Sequence, residues 1–387
     1  MIQISEKEMS KQLQQIKENL RSALDSVERE ISLKKYQFKD RFSLLEPITI
    51  MPFFGFGNDH YVYVKGRVLE KEKIKRKEQD ISNFEHLKNT AKRYETDEIP
   101  GIKIRASFAE KQLEIKTDSD GFFLFEFEFD KPIDYQKHGN KVKLRLLETK
   151  TDEDEMEASA KIFVPDENAE FGVISDVDDT VLISHMTDFF AKIKLMLLND
   201  AKERSPFPGI SALLTALSKG RDDKGRNALF YVSGSEWNLY DLLINFFKYQ
   251  DIPLGPLSLK DKGIKADLDK FTVAHQEYKA RKIRHILKTY PDLDFICIGD
   301  SGQHDPETYC KILEEFPGRI KAIYIRDVTP AKRDKEVKKI AEKVKEMGAE
   351  MLLIEDTLEA AKHAAKMKWI NEHHLEKVKK QSETDRN

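Results

Sequence analysis

From residue 171 onward, short apolar runs alternate with helical patterns, and that alternation leaves few architectures open. "FGVIS", "ALFYVSGS", "DFICIGDSG", "RIKAIYIRDV" and "EMLLIED" are near-continuous apolar segments. Between and after them lie "PGISALLTALSKG", "WNLYDLLINFFKYQ", a charged helical stretch near 331–346 and a further helix to about 370. Strands buried on both faces read as unbroken apolar runs, and strands separated by helices pair in parallel. The expectation is an α/β parallel sheet covered on both faces. In such sheets ligands bind beyond the carboxyl ends of the strands, so chemistry is sought just after each apolar run.

The first half follows another period. "HYVYVKGRVL", "IKIRASF", "KQLEIKTD", "FFLFEFEFD" and "KVKLRLLE" are short, β-rich and often alternating, and turn material such as "GFGND" and "TDSDG" separates several of them. This pattern predicts an antiparallel β-sandwich, with a polar insert at 70–98. Ahead of it, residues 5–37 contain no Gly or Pro. Met9, Leu13, Ile16, Leu20, Ala23 and Val27 recur at intervals of four and three, a narrow a/d seam. The seam reads as a helix packed along its own domain, with a self-pairing or membrane-surface helix as the alternative.

Composition excludes several classes. The chain has 387 residues and a net charge of −3, with 66 basic and 69 acidic side chains, where a dedicated nucleic-acid binder would show a strongly basic domain. Two cysteines, Cys297 and Cys310, exclude a disulfide scaffold, and both lie in core-like segments as inert thiols. No signal-peptide apolar region opens the chain, and no apolar run approaches the about 18 residues of a bilayer span. A cytoplasmic protein is expected, with membrane contact limited to its surface.

The strand ends are chemically distinctive. The first carries Asp176, Asp178, Asp179 and Thr180; the second, Ser233 and Ser235; the fourth, Asp300, Ser301 and Asp305. Lys279 opens a helical pattern before that fourth strand. A calcium loop counted from Asp176 would need Gly and Glu where Val181 and Thr187 stand. Clustered carboxylates, hydroxyls and a lysine suit a phosphate with a hard cation: Mg²⁺ takes oxygen ligands, and an aspartate can attack phosphorus. Taken singly, a serine after a strand is also a common helix N-cap and a lysine a common surface residue.

"DVDDT", Ser233, Lys279 and "GDSGQHD" resemble the four motifs of the haloacid dehalogenase (HAD) superfamily of aspartate-nucleophile phosphatases. The longer strings "YVSGSEWNLY", "IGDSGQHDPETY" and "FPGRIKAIYIRDV" are similar to the actin-patch-protein-type phosphatidate phosphatase family, whose catalytic motifs are lipin-like; the resemblance spans roughly 45–355. It implies a Rossmann-like HAD-type sheet and a Mg²⁺-dependent phosphatase of lipid metabolism. By the same resemblance, Asp176 is the nucleophile of a phospho-aspartyl intermediate, and Asp178 is the acid/base. Mg²⁺ sits on Asp176, the Asp178 carbonyl and Asp300; Ser233, Gly234, Lys279 and Thr180 meet the phosphate; Asp305 and Ser301 support them. Glu236 stands where the family pattern has Pro, and Tyr278 where it often has His; both departures bear on the substrate and the pocket more than on the chemistry. The apolar segment 182–210 falls where the superfamily inserts a cap, and a core helix remains the alternative.

The expected organisation is an N-terminal helix over 1–44, the β-sandwich over 45–168, the phosphatase domain over 169–374 and a charged, frayed tail over 375–387. The expected substrate is phosphatidate, at a peripheral membrane surface, with self-association through the first helix. A non-lipid phosphomonoester and a non-catalytic phosphate-binding scaffold are the competing readings; neither they nor the first includes nucleic acid.

Overall fold

Strand β9 (Gly172–Asp176) runs through the middle of a six-stranded sheet, with all five residues buried. The computed structural model describes residues 34, 47–70, 99–148, 155–177, 207–225, 227–260, 268–328 and 331–386. The seam helix apart from Lys34, most of the polar insert, Asp178 to Thr180, and the candidate cap as far as residue 206 lie outside them.

The first half holds β1 (Ile48–Pro52), β2 (Gly55–Gly57), β3 (Tyr61–Glu70), β4 (Lys103–Phe108), β5 (Lys111–Lys116) and β6 (Phe122–Glu128). The short helix α1 (Tyr135–His138), β7 (Lys141–Leu146) and β8 (Glu157–Phe163) follow. These strands pair in the order β1-β3-β2-β8-β7-β4-β5, with β6 on β3; all pairs are antiparallel except β2 with β8. Alternation does what it predicts in β6, where Phe123, Phe125 and Phe127 point inward and Leu124, Glu126 and Glu128 outward. Val62, Ile104, Phe125, Leu144 and Ala160, from five different strands, share one core.

Strand β3 departs from its alternating pattern. Lys65, Arg67 and Glu70 are buried along with the apolar residues between them; Lys65 and Arg67 are covered because the second face of the strand meets the other half of the chain. Phe53 stacks on Trp237 with centroids 4.6 Å apart and planes 7° from parallel, and Lys65 Nζ lies 4.6 Å from the Trp237 ring centroid. A cation over an indole face is a favourable contact. The Phe54 amide donates to Tyr240 Oη at 2.7 Å, and Asn58 Nδ2 donates to the Thr289 carbonyl at 2.6 Å. Phe56 packs edge-on against Phe230.

After β9 come α2 (Ile210–Lys219), β10 (Ala228–Glu236), a 3₁₀ turn (Trp237–Leu239), α3 (Tyr240–Tyr249), β11 (Leu257–Lys260), α4 (Leu268–Thr289) and β12 (Phe295–Asp300). Then follow α5 (Asp305–Glu315), β13 (Ile320–Arg326), α6 (Ala331–Glu346), β14 (Glu350–Ile354), α7 (Thr357–Lys366) and α8 (His374–Arg386). The sheet order is β11-β10-β9-β12-β13-β14, and every pair is parallel. The expected α/β parallel sheet is therefore present. Neighbouring residues face opposite cores: Val173 and Ile296 pack with Leu213 and Phe246, while Ile174 and Cys297 pack with Ile286 and Ile312. Both cysteines are unpaired and buried, and burial pushes both thiols up.

Chain order reverses between β9 and β12. At such a switch point the connections leave the two strands in opposite directions and open a crevice at their carboxyl ends. Those ends carry Asp176 and Asp300.

Two expectations are corrected. The charged segment after 374 is not frayed but forms α8, which docks through buried Val378, through Gln381 Oε1 accepting from the Ala212 amide, and through Asp385 Oδ2 accepting from the Gly209 amide. Its charges mark only the outer face of an amphipathic helix. Lys279 lies inside α4 instead of opening a helix. Among the described residues, no helix is long and apolar enough to cross a membrane.

Candidate active site

Lys279 projects from α4 into the crevice and is 2 % exposed. Its Nζ lies 2.7 Å from Asp176 Oδ1 and 2.7 Å from Asp305 Oδ1, and donates to Gln303 Oε1 at 3.0 Å. Burial pulls the ammonium toward neutrality, but Asp176, Asp305 and Asp300 oppose it and hold Lys279 well above the ordinary lysine range.

Asp305 is committed on both sides. Its second oxygen accepts from the Asp300 amide at 3.2 Å, so it ties the lysine to the end of β12. Asp300 Oδ1 accepts from the Gln303 amide at 2.7 Å, which tightens the turn between β12 and α5. Gly299 makes this packing feasible. A Cβ there would stand 2.5 Å from Asp305 Oδ2 and 2.7 Å from Asp305 Cβ. Gly299→Ala is therefore expected to displace Asp305, to cost about 1–3 kcal/mol of stability as overpacking does, and to depress turnover through the loosened lysine. A thermal unfolding midpoint and phosphate release unchanged from wild type would refute the tight fit.

Asp176, Asp300 and Asp305 each place a carboxylate oxygen within 4.8 Å of the other two, all buried. With Lys279, these side chains carry a formal charge of −2. An all-oxygen donor set suits a hard divalent cation, and the cation's charge would offset what buried carboxylates cost in a low-dielectric site. The donor chemistry thus fits a divalent ion. Asp176 and Asp300 are its better ligands, because both Asp305 oxygens already serve Lys279 and the Asp300 amide.

Ser233 is fully buried one residue beyond Val232, which pairs with Asp176 in the sheet register. Its Oγ accepts from the Ser235 amide at 2.9 Å, within the irregular end of β10 that holds half-buried Gly234. Trp237 and Tyr240, clamped by Phe53 and Phe54, follow β10. Ser301 is buried and faces the end of β13, where its Oγ donates to Asp327 Oδ1 at 3.4 Å and accepts from the Val328 amide at 3.0 Å. Tyr278 is buried beside Lys279. Asp178, Thr180 and the Glu236 side chain lie outside the described residues.

Two contributors escaped the sequence reading. Gln303 bonds both Lys279 and Asp300, and its only signal was its place inside "GDSGQHD". Arg333, on α6, donates to the carbonyls of Ser301 and Gln303 at 3.1 and 3.2 Å and forms two 2.8 Å contacts with the Glu307 carboxylate. It braces the whole β12–α5 turn, yet in sequence it is one cation in a charged helix.

Residues 171–327 match the family model described as the catalytic domain of phosphatidate phosphatase APP1. The chain is 31% identical over 156 residues to phosphatidate phosphatase APP1 of Saccharomyces cerevisiae, an alignment that takes in 40% of this chain and 25% of that protein. It is 26% identical over 245 residues to an uncharacterized protein of Schizosaccharomyces pombe, 60% of this chain and 38% of that one. The chain thus matches only a quarter to two fifths of these relatives' length. Among solved structures, a carbohydrate acetylesterase from Xanthomonas citri aligns over 76% of this chain and 72% of its own at 12% identity, with a TM-score of 0.25; a likeness that loose carries no argument.

Proposed function

We propose, since residues 171–327 match the family model of the catalytic domain of phosphatidate phosphatase APP1, that this chain is a phosphoric monoester hydrolase that converts phosphatidate to diacylglycerol with Mg²⁺. The observation that carries the reading is the buried Lys279 bridging Asp176 and Asp305 beside Asp300 at the point where strand order reverses. That reversal also supports the HAD-type arrangement of the sheet.

In this reading Asp176 and Asp300 hold Mg²⁺, together with the Asp178 carbonyl. The ion's chemistry is to neutralise charge on the phosphoryl oxygens. An Asp176 oxygen attacks phosphorus while the bond to the lipid's leaving oxygen breaks, and Asp178 gives that oxygen its proton. Water then attacks the phospho-aspartate, Asp178 takes the water's proton, and the bond from phosphorus to Asp176 breaks to release phosphate. Lys279 fixes the Asp176 carboxylate through Oδ1 and stays charged throughout. A hydroxyl that accepts from the Ser235 amide donates with its own proton; the proposed acceptor for Ser233 is a phosphate oxygen, assisted by Gly234 and by Thr180. Asp305 positions Lys279, and Ser301 anchors the β12–α5 turn to β13. Phosphoryl transfer depends mostly on such positioning and electrostatics.

The test is phosphate release from phosphatidate in mixed micelles and from a panel of soluble phosphomonoesters, with Mg²⁺ and after chelation. Mg²⁺-dependent release, fastest from phosphatidate, is expected. Faster release from a soluble ester would move the substrate to that class, and undiminished release after chelation would overturn the metal.

A further inference from the structure

A second cluster of ligating side chains lies away from the crevice, where the turn after α2 meets the start of α8. We propose that Asp223, His373 and His374 bind a borderline divalent transition metal of the Zn²⁺ class, and that the ion fastens α8 to that turn.

The two imidazoles converge on one carboxylate. His374 Nε2 lies 2.6 Å from Asp223 Oδ1, and His373 Nε2 lies 3.4 Å from Asp223 Oδ2. The rings overlap, with centroids 4.2 Å apart and planes at 34°. One atom from each residue falls within 4.8 Å of the other two. Asp223 reaches this position from a left-handed backbone, φ 61°.

A simple ion pair accounts poorly for this geometry. One protonated histidine would satisfy Asp223, and a second charge on an overlapping ring would repel the first. The His374 side chain is only 2 % exposed. Two imidazole nitrogens and a carboxylate oxygen suit Zn²⁺, Ni²⁺ or Cu²⁺, whereas Mg²⁺ prefers oxygen alone. The two clusters among the described residues are therefore chemically distinct. His373 is 46 % exposed, so water has access to complete the tetrahedral shell that zinc adopts.

The consequence is architectural. Bonds to Gly209 and Ala212 hold the later turns of α8 against the start of α2. An ion at His373 and His374 would hold the first turn of α8 against the far end of α2, so the helix would be pinned at both ends. This proposal does not depend on the phosphatase reading.

The test uses the full chain, stripped with chelator in Mg²⁺-free buffer, with Co²⁺ and Zn²⁺ alone as probes. One equivalent of Co²⁺ is expected to give the visible absorption of a low-coordinate nitrogen–oxygen site, and Zn²⁺ to raise the unfolding midpoint by a few degrees through mass action. His373→Asn, at an exposed ring, and Asp223→Asn should each weaken binding by more than the roughly 10–100-fold that loss of an outer-shell partner costs. Asp176→Asn should leave it intact. Co²⁺ affinity unchanged by His373→Asn and Asp223→Asn, absorption lost only with Asp176→Asn, or no stoichiometric binding, would each overturn the proposal.

Discussion

Asp176→Asn is expected to lower phosphate release by about a thousand-fold or more, the scale on which loss of an attacking nucleophile acts, while leaving the fold in place. The amide keeps the shape of the carboxylate but is not a nucleophile toward phosphorus. Stability should survive because Lys279 keeps Asp305, at 2.7 Å, as a charged partner. Steady-state phosphate release and a thermal unfolding curve on the same sample separate the two effects. Full activity in the variant would remove Asp176 from the nucleophile's role. Lost activity with a collapsed unfolding midpoint would make the aspartate structural instead.

Lys279→Met is expected to damage both properties. Methionine nearly matches the lysine stem in length but leaves the buried Asp176, Asp300 and Asp305 facing one another without the ammonium between them. Removing one partner of a buried charge pair typically costs about 3–5 kcal/mol, so a clearly lowered unfolding midpoint should accompany the loss of turnover. Because a divalent cation would replace part of the missing positive charge, added Mg²⁺ should raise the midpoint of Lys279→Met by more than that of wild type. Equal Mg²⁺ shifts in the two proteins would show that the ion and the lysine do not share these carboxylates.

The site was legible where a carboxylate follows an apolar strand. Asp176 and Asp300 sit at strand ends because their strands are buried along their length and stop there, and unbroken apolar runs reveal both facts. Ser233 and Asp305 followed from the same pattern. What escaped depends on partners distant in sequence. Lys65 and Arg67 look like the wet face of an alternating strand, and it takes Phe122 and Trp237, distant in sequence, to cover that face. Arg333 looks like any cation of a charged helix until Ser301, Gln303 and Glu307 surround it. The charge of α8 concealed the narrow buried stripe of His374, Val378 and Ser382.

The dry second face of β3 also sets the grain at which this chain can be divided. The segment that matches the family model begins at Phe171, but cutting there would strip Phe53 from Trp237 and Phe56 from Phe230. Buried aromatic area of that kind is among the larger contributions any side chain makes. The segment matched by the family model is thus smaller than the packed unit. A shuffled or truncated version that keeps the reactive half will stay soluble and single-phase in its unfolding only if the loop from Phe53 to Asn58 travels with it.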